Sequence, residues 1–476
     1  MKNNSFLKCI DSKCGKEYEI NSTRIKCDCG NLLDVKYGEA PSPKLQEVFY
    51  SRRNPHGNIF NESGVWRFRE LLNFCQIDTE DPEQCSKNLV SLDGSEGRLS
   101  KPYHMSRVSE FVGIKNENLM LQPEGYNPSG SFKDNGMSAA VTHAKMVGAK
   151  KIICASTGNT SASAGMFAAN ENMECDVYIP DGQIAPGKLS QAYQFGTQLI
   201  QVKGNFDDAF TKSLDAANEP GSYTVNSVNP FRIEGQKTIP YRALEYLEWN
   251  VPDWIIYPGG ALGNISSCGK SLMELYEWGW IKKIPRIAVI NADGANTLNI
   301  LYNGKFEEKE LRWNDGNPDT ELIDRYYDKM TNENIRPKTK ATAIQIGRPA
   351  NILKGLRALE FTDGIVISVT DNEMLDGMSS VGLNGFDCEM ASGAVPAGAK
   401  KLLNDEIIKK DDSYYKDINL KSFDQIVRMA FNQRRKMLRN SLSSLSIDIK
   451  NCSVDFTKRP EQLTIEDFIE ISNNII

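Results

Sequence analysis

The chain has 476 residues, 40% of them apolar and 25% charged, with a net charge of −6. That length supplies two or three domains with sizeable cores, and the composition is that of an ordinary soluble globular protein. The mild acidity gives no electrostatic reason to expect nucleic-acid or membrane binding by the chain as a whole.

Residues 1–38 form a first region, in which Cys9, Cys14, Cys27 and Cys29 stand among polar segments with Gly15 and Gly30. Two cysteine pairs around a turn-rich stretch resemble a zinc ribbon, although the spacings are C-x4-C and C-x-C rather than C-x2-C twice. Structural zinc on these four cysteines and a metal-free cap both stay open. The eleven cysteines are otherwise scattered, which fits a reducing compartment better than a disulfide framework. The start "MKNNSFLKCIDSKC" lacks the apolar core of a signal peptide, and no apolar run reaches the roughly 20 residues that cross a bilayer. The expected location is cytoplasmic. The three histidines, His56, His104 and His143, are too dispersed for a histidine-rich metal site. No serine occupies a G-x-S-x-G elbow, so a Ser–His–Asp hydrolase is poorly supplied.

A second region, residues 39–404, alternates apolar β-branched runs with amphipathic segments from about residue 88. "KKIICAST", "ECDVYIP", "TQLIQVKG", "DWIIYPGG", "RIAVINADG" and "GIVISVTD" predict buried strands, and "NISSCGKSLMELYEWGW" predicts a helix between two of them. Such alternation predicts an α/β fold with parallel sheets covered by helices.

Three glycine- and hydroxyl-rich turns punctuate this region: "NPSGSFKDNG" around Lys133, "ASTGNTSASAG" after a strand, and "PGGALGN" after another. Turns feeding helices present unpartnered N–H groups to anions. Two anion-friendly turns and one lysine near a helix start point to a phosphorylated ligand carrying a carbonyl for the amine. Pyridoxal phosphate has both features. "GNISSCGKS" imitates a nucleotide-binding loop only partly, because Asn264 stands where that motif requires glycine.

The motifs "NPSGSFKDNGM", "ASTGNTSASAG", "NPFRIEGQKT", "PDWIIYPGGALGN" and "TKATAIQIGRPANILKGLRAL" closely resemble threonine synthase, a fold-type II pyridoxal-phosphate family, and most of all its longer, plant-like branch. The resemblance covers about residues 88–400. It implies a tryptophan synthase β-like fold with two parallel-sheet lobes, a small amino-acid substrate and a homodimer. It implies that Lys133 forms the Schiff base with the cofactor and shuttles protons, and that Asn159 meets the ring's phenolic oxygen. Gly259, Gly260, Gly263 and Asn264 are implied to hold the cofactor phosphate, and Ser392 to meet the ring nitrogen. Ser156, Thr160, Asn226, Ser227 and Arg232 are implied to bind substrate phosphate. The implied reaction turns O-phospho-L-homoserine and water into L-threonine and phosphate.

Departures from the family pattern loosen substrate identity. Ala261 stands where asparagine is usual, and Asn135 where arginine usually follows S-F-K-D. A serine or threonine dehydratase, or a phosphoserine-dependent replacement enzyme, therefore remains an alternative. After residue 404 the family pattern stops. Residues 405–476 predict a polar linker, then a basic helix in "FDQIVRMAFNQRRKMLRNSLSSL" and a helix capped by Thr464. This tail resembles the small C-terminal domain of ribosomal RNA adenine dimethyltransferases, whose catalytic motifs are missing from the sequence. Arg434, Arg435, Lys436 and Arg439 would make a basic face; a solvated helix, or a gene-fusion remnant that merely closes the core, is the favoured reading, and RNA contact is its alternative for the tail alone. A weakly active chimera that binds RNA there is the remaining alternative.

Overall fold

The computed structural model describes residues 5–53, 57–181, 186–204, 206–314, 316, 318–409, 420–432, 436–448, 452 and 454–475. Contacts divide the chain into two compact units, Met1–Lys401 and Leu402–Ile476.

The first unit begins with a small antiparallel sheet of β1 (Phe6–Cys9), β2 (Glu17–Glu19) and β3 (Leu33–Lys36), in the order β2-β1-β3. Two parallel sheets follow. One consists of β4 (Lys151–Ala155), β5 (Glu174–Pro180), β6 (Gln198–Val202) and β7 (Ser222–Thr224), ordered β6-β5-β4-β7. The other consists of β8 (Trp254–Pro258), β9 (Arg286–Ala292) and β10 (Ile365–Val369), ordered β10-β9-β8. Each of the six predicted runs contains one of these strands. They were legible because strands covered by helices on both faces read as continuous apolar runs; β9 is buried at six successive positions. β7 was not predicted, since three residues carry too little periodicity. The two parallel sheets with covering helices are the α/β arrangement that was expected.

Residues of the cysteine-bearing sheet share one core with the parallel sheets: Leu7, Leu33 and Val35 belong to the same buried cluster as Ile152, Val177 and Val289. The placement of the active helices depends on glycine. Helix Lys133–Met146 crosses helix Pro230–Gln236 backbone against backbone. A Cβ at Gly235 would stand 1.9 Å from the carbonyl oxygen of Asn135, and one at Gly136 would stand 2.8 Å from that of Arg232. Only glycine admits this approach, which draws Lys133 and Arg232 together at one end of the crossing.

The second unit has its own core of Ile426, Ala430, Leu438, Leu442, Phe468 and Ile471. The long basic helix predicted here is corrected to two pieces, Leu420–Asn432 and Leu438–Ser441. Met437, with φ −62° and ψ 148°, is extended and begins the second piece afresh. Arg434 and Arg435 lie outside the described residues, while Lys436 and Arg439 are exposed. Thr464 caps helix Ile465–Asn473 as predicted: its Oγ accepts from the N–H of Asp467, whose carboxylate accepts from the N–H of Thr464. Among the described residues no helix is long and apolar enough to cross a membrane.

Candidate active site

Lys133 is the first residue of its helix, and its Nζ lies 3.4 Å from the centroid of the Phe132 ring. The residue is half-buried, yet its amine is desolvated enough to bring the pKa from 10.5 to about 7. Burial is the largest cause, the charge of Arg232 adds to it, and the carboxylate of Glu389 opposes both. Packing thus supplies most of the effect. Asp134 braces the loop from behind, accepting from the N–H and Oγ of Ser129 at 2.7 and 2.6 Å.

Arg232 is 1% exposed. Its Nη1 donates to the carbonyl of Val225 at 3.1 Å and its Nε meets no acceptor. No carboxylate pairs with it among the described residues. Burial pulls its pKa down to about 10, so it remains cationic at neutral pH. A buried guanidinium without a counterion costs several kcal/mol, on the order of what a buried charge demands after relaxation. An anionic ligand would remove that cost, and the planar fork suits phosphate.

The loop after β8 enters helix Gly263–Glu277 through Leu262, whose φ of 65° is left-handed. The N–H groups of Gly260, Ala261, Leu262, Gly263 and Asn264 find no protein acceptor among the described residues, which leaves them free for an anion at the start of a 15-residue helix. Asn264 shapes this turn: its Nδ2 donates to the carbonyl of Pro258 and its Oδ1 accepts from the N–H of Ile265. A Cβ at Gly259 would sit 2.5 Å from Nδ2 of Asn291, so that position is closed to larger residues.

Asn159 opens helix Asn159–Asn170. Its Nδ2 donates to both carboxylate oxygens of Glu389, at 3.0 and 3.1 Å, while its buried Oδ1 has no partner. Ser392 lies one turn beyond Glu389, exposed, on helix Met390–Asn404. Ser156 Oγ accepts from the N–H of Gly158 at 3.1 Å, which orients the turn before Asn159. Thr160 is half-buried beside it. Asn226 is engaged at both ends of its amide, accepting from the N–H of Ala155 and donating to the hydroxyls of Ser213 and Thr224. It ties the ends of β4 and β7 together. The carbonyl of Ser227 accepts from Nδ2 of Asn351 at 2.9 Å.

Two residues at this site escaped the sequence reading. Glu389 stands three residues before Ser392, but only tertiary packing sets it against Asn159. Asn351 precedes helix Ile352–Phe361. Its N–H donates to the carbonyl of Ala261 and its buried Oδ1 is unpartnered. It therefore brings an amide beside the position where Ala261 lacks one. The other departure is compensated too. Arg242 Nη1 donates to Oδ1 of Asn135, and its Nη2 reaches Glu124, so a guanidinium comes from another helix. Lys270, the lysine of the imperfect nucleotide loop, is spent on buried ion pairs with Glu234 and Glu274 at 2.6 and 2.5 Å.

A family model described as pyridoxal-phosphate dependent enzyme matches residues 101–415, the span that carries all of these residues. The chain belongs to this family. It is 38% identical over 407 residues to a threonine synthase of Methanocaldococcus jannaschii, covering 85% of this chain and 89% of that one. It is 34% identical over 409 residues to a threonine synthase of Methanosarcina acetivorans, covering 86% and 89%. Among solved structures, a fungal L-serine ammonia-lyase from Rhizomucor miehei superposes with a TM-score of 0.51 at 18% identity, over 65% of this chain and 88% of that chain. That likeness bears on the fold alone. The open amides at Gly260–Asn264, the orphaned acceptor Oδ1 of Asn159 and the depressed Lys133 fit the phosphate, the ring hydroxyl as donor and the aldehyde of the cofactor that gives the family its name.

Proposed function

We propose that the protein is a threonine synthase, a pyridoxal-phosphate enzyme that converts O-phospho-L-homoserine and water to L-threonine and phosphate. Arg232 carries the choice of a phosphorylated substrate. It is a fully buried guanidinium with an unused N–H, on the helix that packs against Lys133. A dehydratase acting on an unphosphorylated hydroxy amino acid has no use for such a group.

Bound pyridoxal phosphate supplies an electrophilic carbon for an amine and a ring that takes up the electron pair left when a neighbouring carbon loses a proton. The residues that would hold it are Gly259, Gly260, Gly263 and Asn264 at the phosphate, Asn159 at the ring oxygen and Ser392 at the ring nitrogen. Lys133, poised near pH 7, exists substantially as a free amine, which lets it act as nucleophile and as base. In this reading it takes and returns protons at the α and β carbons of substrate. Arg232, with Ser156, Thr160 and Ser227, grips the substrate phosphate and steadies the charge that grows as the γ C–O bond breaks. Asn226 orients the strand ends behind them. Water then adds at the β carbon. The reading also includes a structural zinc ion on Cys9, Cys14, Cys27 and Cys29, supported by ligand sulfurs that all lie within 4.8 Å of one another.

The test is phosphate and threonine release from O-phospho-L-homoserine by the wild type, Lys133→Ala and Arg232→Gln, with O-phospho-L-serine, L-serine and L-threonine as competing substrates. Turnover of O-phospho-L-homoserine, abolished in Lys133→Ala and reduced in Arg232→Gln, is expected. A wild type that binds cofactor and deaminates L-threonine or L-serine instead would overturn the substrate assignment.

A further inference from the structure

The four cysteines lie at two turns of the N-terminal sheet. Cys9 and Cys29 are 3.5 Å apart through sulfur, and Cys14 and Cys27 are 3.6 Å apart. A disulfide would bring its sulfurs to about 2.0 Å. Four thiolates each about 2.3 Å from a shared tetrahedral zinc ion stand roughly 3.8 Å from one another, so the observed separations are those of a zinc tetrathiolate. The surroundings also direct donors at sulfur. Tyr18 Oη accepts from the N–H of Asp28 at 2.9 Å, which leaves its hydrogen for Cys27 Sγ at 3.1 Å. Asn31 Nδ2 points at Cys29 Sγ at 3.6 Å. Outer donors of this kind orient metal-bound thiolates and offset their charge.

The other side of the ribbon carries a second set of contacts. Asp34 on β3 is buried between Lys354 Nζ at 3.0 Å and Arg357 Nη2 at 2.7 Å. Lys354 also donates to the carbonyl of Leu33 at 2.6 Å. Both cations ride on helix Ile352–Phe361, whose preceding residue Asn351 holds the carbonyls of Ala261 and Ser227. Tyr37 Oη donates to Glu234 at 2.6 Å. Glu234 lies on the Arg232 helix and is bound by Lys270 of the phosphate-loop helix. The ribbon therefore grips three helices whose leading ends form the cofactor and substrate phosphate sites.

We infer that the zinc-bound ribbon is a clamp on the phosphate-binding half of the active site, so that metal occupancy sets affinity for pyridoxal phosphate. The inference rests on the zinc reading given above. Leu7, Leu33 and Val35 seat the sheet on the main core, but its strands have only three or four residues each, and metal ligation is what would fix the two cysteine-bearing turns. Without the ion the turns loosen, and Asp34 and Tyr37 shift from the positions that place their side chains. Lys354 and Arg357 then lose the grip of Asp34, Glu234 keeps Lys237 and Lys270 but loses the Tyr37 hydroxyl, and the helix starts that present free amides to phosphate are less firmly held.

The experiment uses the full chain. Metal content is measured by elemental analysis of protein purified without added metal, and again after exchange with cobalt(II), whose tetrathiolate has characteristic charge-transfer absorption. The dissociation constant of pyridoxal phosphate is then compared for wild type, the double variant Cys14→Ser/Cys27→Ser, and Asp34→Asn, which keeps all four sulfurs. The expected result is one zinc per wild-type chain, none in the double variant, and zinc retained in Asp34→Asn. Both variants should bind cofactor on the order of tenfold or more weakly, the size of an ordinary coupling between sites. A wild type that holds neither zinc nor cobalt overturns the metal site. Zinc in the wild type with cofactor affinity unchanged in Asp34→Asn overturns the clamp and leaves the metal site standing, whether or not the double variant folds.

Discussion

A single methyl group at Gly235 tests how far the chemistry depends on the close approach of two helices. In Gly235→Ala the new Cβ would stand 1.9 Å from the carbonyl oxygen of Asn135 and 2.8 Å from its carbonyl carbon, where ordinary contact begins near 3.4 Å. Both atoms are backbone, so no side chain can rotate aside and the helices themselves have to separate. Forcing a methyl into a packed core costs about 1–3 kcal/mol. The functional cost is larger in proportion. Lys133 rides on one helix and Arg232 on the other, and misplacement of a reacting group by about 1 Å can lower a rate by on the order of 100-fold.

Two measurements separate these effects: urea unfolding of the cofactor-free protein for stability, and phosphate release from O-phospho-L-homoserine for kcat/KM. The variant should lose about 1–3 kcal/mol and on the order of 100-fold in kcat/KM. Gly382→Ala is the control, because a Cβ there meets nothing within 4 Å; it should match the wild type in both assays. If Gly235→Ala keeps kcat/KM within about twofold of wild type, far inside the 100-fold expected from misplacement, the crossing does not position the reacting groups.

Other perturbations probe the charges. Covalent loading of pyridoxal phosphate into cofactor-free protein should accelerate as pH rises through about 7 and level off above it, since the free amine of Lys133 is the reactive form; a midpoint near the ordinary lysine value of 10.5 would refute the desolvated site. Glu389→Gln removes the charge that holds Lys133 up, so the loading midpoint should move to lower pH. Lys237→Met leaves Glu234 and Glu274 short of a cation that lies 2.6 Å from each. The loss read by urea denaturation should be about 3–5 kcal/mol, as for other broken buried pairs. Burial lowers His143 from 6.5 to about 4. The unfolded chain therefore takes up this proton before the folded one does, and the stability tied to the neutral ring is complete above pH 6.5 and lost as pH falls towards 4. At about 1.4 kcal/mol per tenfold change in proton affinity, that loss amounts to roughly 3 kcal/mol. His143→Gln should flatten the stability curve across that window, and an unchanged slope would exclude the imidazole as its source.

The parts of this protein legible in the sequence are those in which one local rule dominates. Strands buried on both faces read as apolar runs, and the tight turn after β8 leaves no room for a Cβ at Gly259 or Gly260 without displacing a neighbour. Thr464 announced its helix because a capping residue acts within three positions. Glu389 and Asn351 obey no such rule. Each is an ordinary polar residue at the edge of a helix, and its role comes from what packs opposite: Asn159 lies 230 positions from Glu389, and Ser227 lies 124 from Asn351. The buried charges show the boundary between the two cases. Glu234 with Lys237, and Lys270 with Glu274, are spaced three and four residues apart, a spacing that a helix brings together on its own. The pairs that join the two helices, Lys237 with Glu274 and Lys270 with Glu234, have no such spacing. The same limit applies to Lys133. Its place at a helix start is written in a loop of ten residues, but its proton affinity is set by burial, by Arg232 and by Glu389. A chain that kept "SFKD" and lost Gly235 would therefore keep Lys133, yet no longer hold it in register with the guanidinium whose charge lowers its proton affinity.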